Sequence, residues 1–407
     1  MSKSIHPTDN NLSNSNKGEK ILQLEKIDPN QVNSILEKLK CNRIVETLKL
    51  NRVKLIEKSA NLLGEILESN SNIKELELSS NEIDPESLGA ITNSLKKNDS
   101  LEILSLPYNA LKIESINHLA QYLSSTNSLK TIHLNSNRLS GESMRVLTKS
   151  LGSNKSLTRF NIGYNELFFD SMQYLKELFE KNKTINSLHL SFNNLTSESL
   201  IVLSDILKNN NTLKRLYLGA NMFDDESIGA LSNSLIENKS LTSLHISHNY
   251  LSEKVSLFGE VLKKNNTLTY LNLSSNKIKY NDISSVYSSL HQNTSLTKLN
   301  LEKNNLYSKD ANDIIEMLFV NNSLLEINLS GNIISEQKQN QINFLLESNQ
   351  IWSTHLHKNL FSPFKDSVHT FLLCLRRNKQ LLPKLPKFVL YEVLKKIQRK
   401  SFYKFLI

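Results

Sequence analysis

One interval governs this chain: an apolar motif returns with a 28-residue period. It reads IKELELSSNEI from Ile73, LEILSLPYNAL from Leu101, LKTIHLNSNRL from Leu129, LTRFNIGYNEL from Leu157 and INSLHLSFNNL from Ile185. It continues as LKRLYLGANMF from Leu213, LTSLHISHNYL from Leu241, LTYLNLSSNKI from Leu268, LTKLNLEKNNL from Leu296 and LLEINLSGNII from Leu324. Each copy fits L-x-x-L-x-L-x-x-N-x-L. The asparagines are Asn81, Asn109, Asn137, Asn165, Asn193, Asn221, Asn249, Asn276, Asn304 and Asn332, and the single step from Asn249 to Asn276 is shorter than the others by one. A shorter copy, VETLKLNRV from Val45, puts Val53 one full period before Asn81. That makes eleven copies, ten with the asparagine. A fixed period of this length specifies a solenoid, in which each unit buries its apolar face only against its neighbours.

The chemistry within a copy sets its local structure. Leu188 and Leu190 alternate with polar residues, which predicts a short strand with one buried face. The asparagine ends the strand, where its amide is placed to satisfy backbone groups of the turn and of a neighbouring copy. The second half reads as helix: Leu200, Leu203 and Leu207 fall at helical spacing, as do Ile228, Leu231, Leu235 and Met144, Leu147, Leu151. Ser197 or Ser199 is the expected cap of the helix in SESLIVLSDILKNN. Strand and helix alternate, so the strands are expected to run parallel with helices on the other side. Strands pack ~4.8 Å apart and helices roughly 8–10 Å apart, which bends such a stack with its strands inside.

This motif and period resemble leucine-rich repeats of the ribonuclease-inhibitor type, over about Val45 to Gln350. The resemblance implies an α/β, right-handed horseshoe solenoid: parallel strands on the concave face, helices on the convex face, helical caps at both ends. It also implies a protein-binding role carried by variable surface residues. The wealth of Asn, Lys, Ser and Ile is similar, more distantly, to leucine-rich-repeat effectors that intracellular bacteria of the Legionella type inject into host cells.

The flanks differ from the body. Residues 1–20 are polar and expected to be disordered, with no apolar stretch of the kind a secretory signal needs. Residues 21–44 are expected to form an N-terminal helical cap, with Asp28 capping a helix that has Pro29 in its first turn. The solenoid is expected over 45–351. Residues 352–407 then form a basic helical unit, with helices from Lys365 and after Pro386. This last segment holds 12 Lys+Arg against 2 Asp+Glu, so the chain's net charge of +9 resides there and the remainder carries −1. Three roles stay open for it: covering the end of the solenoid with Phe388, Val389, Leu390, Val393, Leu394 and Ile397; contact with an anionic membrane; or docking to a ubiquitin-ligase adaptor, since LPKFVLYEVLKKI from Leu385 faintly resembles the opening of an F-box motif.

Between the strand leucines lie the residues expected on the concave face. They include Tyr108, His133, Arg159, Tyr164, His189, Phe192, Arg215, Tyr217, His245, His248 and Tyr270. Aromatic and arginine side chains are the types enriched where partners bind tightly. The alternative is that these positions drift and a few aromatics stack to steady the sheet. Catalysis is not expected. No phosphate-cradling glycine loop, G-x-S-x-G elbow or H-E-x-x-H pair occurs, and neither Cys41 nor Cys374 heads the C-x-D motif of bacterial ubiquitin ligases. No metal is expected either, since His245 and His248 have no carboxylate beside them and His189 and His245 stand two strands apart. Two distant cysteines suit free thiols in a reducing compartment. The reading is thus a monomeric, cytoplasmic scaffold, in a host-cell cytosol if exported, with a protein partner, no cofactor and no nucleic acid.

Overall fold

The computed structural model describes residues 20–355. The expected disorder before residue 20 and the expected helices after residue 355 lie outside the described residues. The chain divides between Phe223 and Asp224 into two units. Among the described residues, no helix is long and apolar enough to cross a membrane.

The first unit is built from eight strands: β1 (Ile21–Glu25), β2 (Thr47–Asn51), β3 (Glu75–Glu77), β4 (Ile103–Ser105), β5 (Thr131–His133), β6 (Arg159–Asn161), β7 (Ser187–His189) and β8 (Arg215–Tyr217). Each pairs in parallel with the next. Helices α1 (Pro29–Leu39), α2 (Glu57–Ser69), α3 (Pro85–Leu95), α4 (Ile113–Ser125), α5 (Gly141–Leu151), α6 (Met172–Lys181) and α7 (Ser197–Asn209) connect them, and each packs against the next. The second unit repeats the scheme with α8 (Ile228–Glu237), β9 (Ser243–His245), α9 (Phe258–Lys264), β10 (Tyr270–Asn272), α10 (Tyr280–Leu290), β11 (Lys298–Asn300), α11 (Ser308–Leu318), β12 (Glu326–Asn328) and α12 (Glu336–His355). Its four strands are also parallel and paired in order.

Register explains why the leucines recur. In the first unit Leu48, Leu76, Leu104, Ile132, Phe160, Leu188 and Leu216 stand side by side across the sheet, all buried. Leu244, Leu271, Leu299 and Ile327 form the matching row of the second. The helices close the core from the other side: Met144, Leu147, Leu151, Leu200, Leu203 and Leu207 in the first unit, and Ile228, Leu231 and Leu235 in the second, are all buried. Burying one such side chain contributes about 1.5–3 kcal/mol, so a charge at any of these positions would be costly.

Two local expectations change. The spacing predicts only a helix over 21–44, and that helix forms with Asp28 as its cap, accepting from the Asn30 N–H at 2.8 Å. A strand, β1, precedes it and pairs with β2, Ile21 opposite Thr47. Its spacing from β2 is two positions shorter than the repeat, as Ile21 faces Thr47 whereas Thr47 faces Glu75. The second change is at α7, which is not capped by a serine. Thr196 holds the cap position in extended backbone, pinned by a bridge to Met222, and makes no side-chain cap bond. The Ser199 hydroxyl is buried without a hydrogen-bond partner.

Candidate functional site

Two asparagine ladders fix the surface on which the candidate residues stand. The first is the motif asparagine. Asn137 Oδ1 accepts the backbone N–H of Asn109 at 2.9 Å, while its Nδ2 donates to the carbonyls of Leu106 and Leu134 at 2.9 and 3.0 Å. Asn165 and Asn193 repeat the pattern. In the second unit Asn276 and Asn304 do the same.

The second ladder was not anticipated. It lies where each helix hands over to the next strand, at Asn70, Asn98, Asn154, Asn182 and Asn210 in the first unit, and Asn238, Asn265, Asn293, Asn321 and Asn349 in the second. Asn98 Nδ2 donates to the carbonyls of Leu67 and Asn70 in the previous repeat, at 2.6 and 3.1 Å. Its Oδ1 accepts the N–H groups of Ser100 and Leu101 and the Ser100 hydroxyl. From Asn98 to Asn321 the sequence signal is an asparagine followed two positions on by Ser or Thr, recurring with the same period as the motif; Asn70 and Asn349 lack it. The ladder breaks at Thr126, whose hydroxyl meets the N–H groups of Ser128 and Leu129 and the Ser128 hydroxyl, each at 3.4 Å, and does not reach the previous repeat.

From β3 on, the turn after each strand of the open sheet face holds a left-handed residue, one position before the motif asparagine. In the first unit these are Ser80, Tyr108, Ser136, Tyr164, Phe192 and Ala220, with φ between 52° and 59°. In the second they are His248, Ser275, Lys303 and Gly331. A residue with a Cβ pays roughly 1–2 kcal/mol for this conformation. Its N–H is held in return by the next repeat, as Tyr164 N–H donates to Ser191 O at 2.8 Å. Only Gly331 is the residue type that this geometry favours.

On that scaffold the first unit gathers most of the candidate side chains. Tyr164 and Phe192, 52% and 44% exposed, stack with ring centroids 3.9 Å apart and planes 13° from parallel. One row away His189 and Tyr217 stack at 3.7 Å. His133 Nδ1 lies 3.2 Å from the Asn161 amide. Burial pushes the His133 imidazole below its ordinary range, against the pull of Glu75 and Glu77 and with that of Arg159. Arg159 is exposed, and Arg215 is half-buried with a 3.5 Å contact to Asn186 Oδ1. Beside the Tyr164–Phe192 stack runs a groove of about 450 Å³ lined by Ser136, Arg138, Tyr164, Glu166, Phe192, Asn194 and Ala220. Tyr108 stands apart, exposed two strands away, with Ser136 between it and Tyr164.

The second unit holds the other three. His245 packs edge-on to Tyr270 at 4.7 Å, and its Nε2 meets Ser243 Oγ at 3.0 Å. Burial pushes its imidazole down to about 4, so it is neutral at physiological pH. His248 is exposed. Among the described residues no group of three or more His, Cys, Asp or Glu side chains converges as a metal site would require.

Sequence reasoning missed Arg138, Glu166 and Asn194, because the position after the asparagine carries no periodic signal. It also missed Phe168 and Phe169, about half exposed in the turn after Tyr164. Phe168 adopts φ 40° and ψ −176°, where other repeats place an extended residue such as Asp84 or Lys112. A run of two adjacent aromatics at a helix-entry turn was a legible signal.

Four segments of the chain, residues 69–91, 181–204, 264–286 and 292–309, match the family model described as Leucine Rich repeat. A search of curated proteins finds no match. Among solved structures, the chain is similar to one from the Toll–Spatzle complex of Drosophila, glycosylated form. The identity is 18% and the TM-score 0.41, over 77% of this chain and 41% of that one. The chain therefore spans less than half the length of that neighbour. Parallel strands alternating with helices, carried on a repeated L-x-x-L-x-L-x-x-N-x-L motif, give each unit the α/β fold of leucine-rich repeats.

Proposed function

We propose that the chain is a non-enzymatic scaffold that captures a partner protein on the open sheet face of its first unit, around Tyr164 and Phe192. The observation that carries this reading is the exposed Tyr164–Phe192 stack on left-handed backbone. Glycine fills the same position at Gly331 without that cost, and serine or alanine fills it elsewhere without exposing a large apolar ring. A stacked pair contributes about 0.5–1.5 kcal/mol, less than the roughly 1–2 kcal/mol that the left-handed backbone costs at each of its two residues. Rings that stay half in water gain their full burial when a partner covers them. Replacing Tyr164, Phe192 and Tyr217 together by alanine is expected to abolish partner capture, with the fold intact by circular dichroism. Capture that survives the triple change would place the site elsewhere.

The finer assignments extend this proposal. Helices of 10–13 residues over α2–α7 suit the ribonuclease-inhibitor-like type of repeat. The composition supports an exported bacterial effector acting in a host cytosol, which a translocation reporter fused to the chain tests. The concentrated positive charge of 352–407 favours a second reading, anionic-membrane recruitment through that segment. Liposome flotation with and without residues 380–407 separates it from capture by the sheet face.

A further inference from the structure

Cations on the sheet face are matched by a carboxylate on the neighbouring strand in some repeats and left unmatched in others. Lys49 pairs with Glu77 at 2.9 Å, Arg52 with Glu25 at 3.4 Å, and, in the second unit, Lys298 with Glu326 at 2.7 Å. Across β5–β8 that rule stops. The face positions of these four strands carry no carboxylate: they read Thr131, His133, Asn135, Ser136, then Arg159, Asn161, Gly163, Tyr164, then Ser187, His189, Ser191, Phe192, then Arg215, Tyr217, Gly219, Ala220. Arg159 is exposed and makes no ion pair among the described residues, and Arg215 has only its long contact to Asn186.

The register sets these two arginines on either side of a small residue. Arg159 lies opposite Ser187, and Ser187 opposite Arg215. Ser187 has a short side chain and is buried, so it does not itself stand between the two guanidiniums. Two strand spacings separate their backbones, about 9.6 Å. Two long side chains can close that distance onto one anion from both sides, and a guanidinium binds a carboxylate through two parallel N–H bonds. The aromatic stack and its groove lie farther along the same strands.

We propose that this face recognises an acidic protein segment, seating one Asp or Glu carboxylate between Arg159 and Arg215 and an adjacent apolar side chain against Tyr164 and Phe192. The inference rests on the reading of this face as the binding site and names the chemistry of what binds. A nucleic acid is disfavoured because a polyanion needs a continuous basic track, and here the two guanidiniums stand in a row whose other members from β2 to β8 are Thr47, Glu75, Ile103, Thr131 and Ser187.

The test selects a random-peptide phage library on the full chain and measures synthetic copies of the winners by fluorescence anisotropy. Selected peptides are expected to carry Asp or Glu beside an aromatic or aliphatic residue. The double variant Arg159→Glu/Arg215→Glu should weaken them roughly 30-fold and select Lys- or Arg-bearing peptides instead. Arg159→Gln/Arg215→Gln, which removes charge without reversing it, should show the loss without the inversion. Peptides that lack acidic residues, or whose affinity ignores both arginine variants while Tyr164→Ala/Phe192→Ala abolishes it, overturn the acidic-partner assignment and leave the face as the site. Affinity indifferent to arginines and aromatics alike overturns both. A single-stranded oligonucleotide that binds more tightly than the peptides overturns the choice of partner.

Discussion

The backbone N–H of Asn109 donates to Oδ1 of Asn137, one repeat further on, at 2.9 Å. One amide thus joins two repeats while its own Nδ2 donates to three further carbonyls, those of Leu106, Leu134 and Asn135. Asn137→Ala would leave these backbone groups buried and unpaired, since a methyl neither accepts nor donates. The expected loss is about 1–3 kcal/mol, seen as a lower urea midpoint for the first unit. Asn137→Asp should recover the acceptor but not the donor, and fall between the two.

Thr126→Asn should act in the opposite direction. Thr126 has the extended backbone, φ −70° and ψ 139°, of the asparagines at the same place in other repeats, such as Asn182 at −82° and 127°. Its side chain is one group too short to bridge to the previous repeat. An amide there reaches the carbonyl positions that Asn154 and Asn182 use, for an expected gain of about 1 kcal/mol by chemical denaturation. A variant no more stable than the parent would show that the break in the ladder is not a weak point.

Ser136→Gly tests the left-handed turn. Ser136 sits at φ 59°, and its hydroxyl is buried without a partner. Glycine removes both costs, offset in part by the greater freedom of the unfolded chain. The net expectation is a gain of about 1 kcal/mol. Alanine, which removes the hydroxyl but keeps the Cβ, should gain less, so the pair separates the two effects.

His245 predicts a pH dependence for the second unit. Its folded value, about 4, lies below the ordinary imidazole value of 6.5 because burial disfavours the charged form. Between those limits the unfolded chain binds a proton that the folded chain refuses. Stability contributed by this group is therefore complete above about pH 6.5 and declines as pH falls toward 4. His245→Phe should flatten that part of the curve. An imidazole resonance titrating near 6.5 by NMR would contradict the burial argument.

Where the sequence was legible, the reason is that core positions have few chemical alternatives. Leu188, Leu190, Leu203 and Asn193 were readable because each must fill one shape or satisfy one set of backbone groups. Strand β1 was missed because its spacing falls two positions short, and a fixed template does not slide. The left-handed turns were invisible for a different reason: Tyr164, Phe192, His248 and Lys303 are held there by the next repeat's carbonyls, and no local preference announces it. Which candidate side chains meet was only half readable. Equal positions on adjacent strands brought Tyr164 to Phe192 and His189 to Tyr217, but the unmatched state of Arg159 depends on what its neighbours lack.

The second asparagine ladder has a consequence for how this protein must be made. From Asn98 onward, eight of its members head an Asn-x-Ser/Thr triplet, the acceptor form for N-linked sugar: Asn98, Asn154, Asn182, Asn210, Asn238, Asn265, Asn293 and Asn321. All eight are buried, at 6% exposure or less, so a glycan attached to a nascent chain would have no room once the repeats closed. Passage through a eukaryotic secretory route should yield sugar-bearing, misfolded chains, whereas synthesis away from the glycosylating enzymes should yield the stacked form.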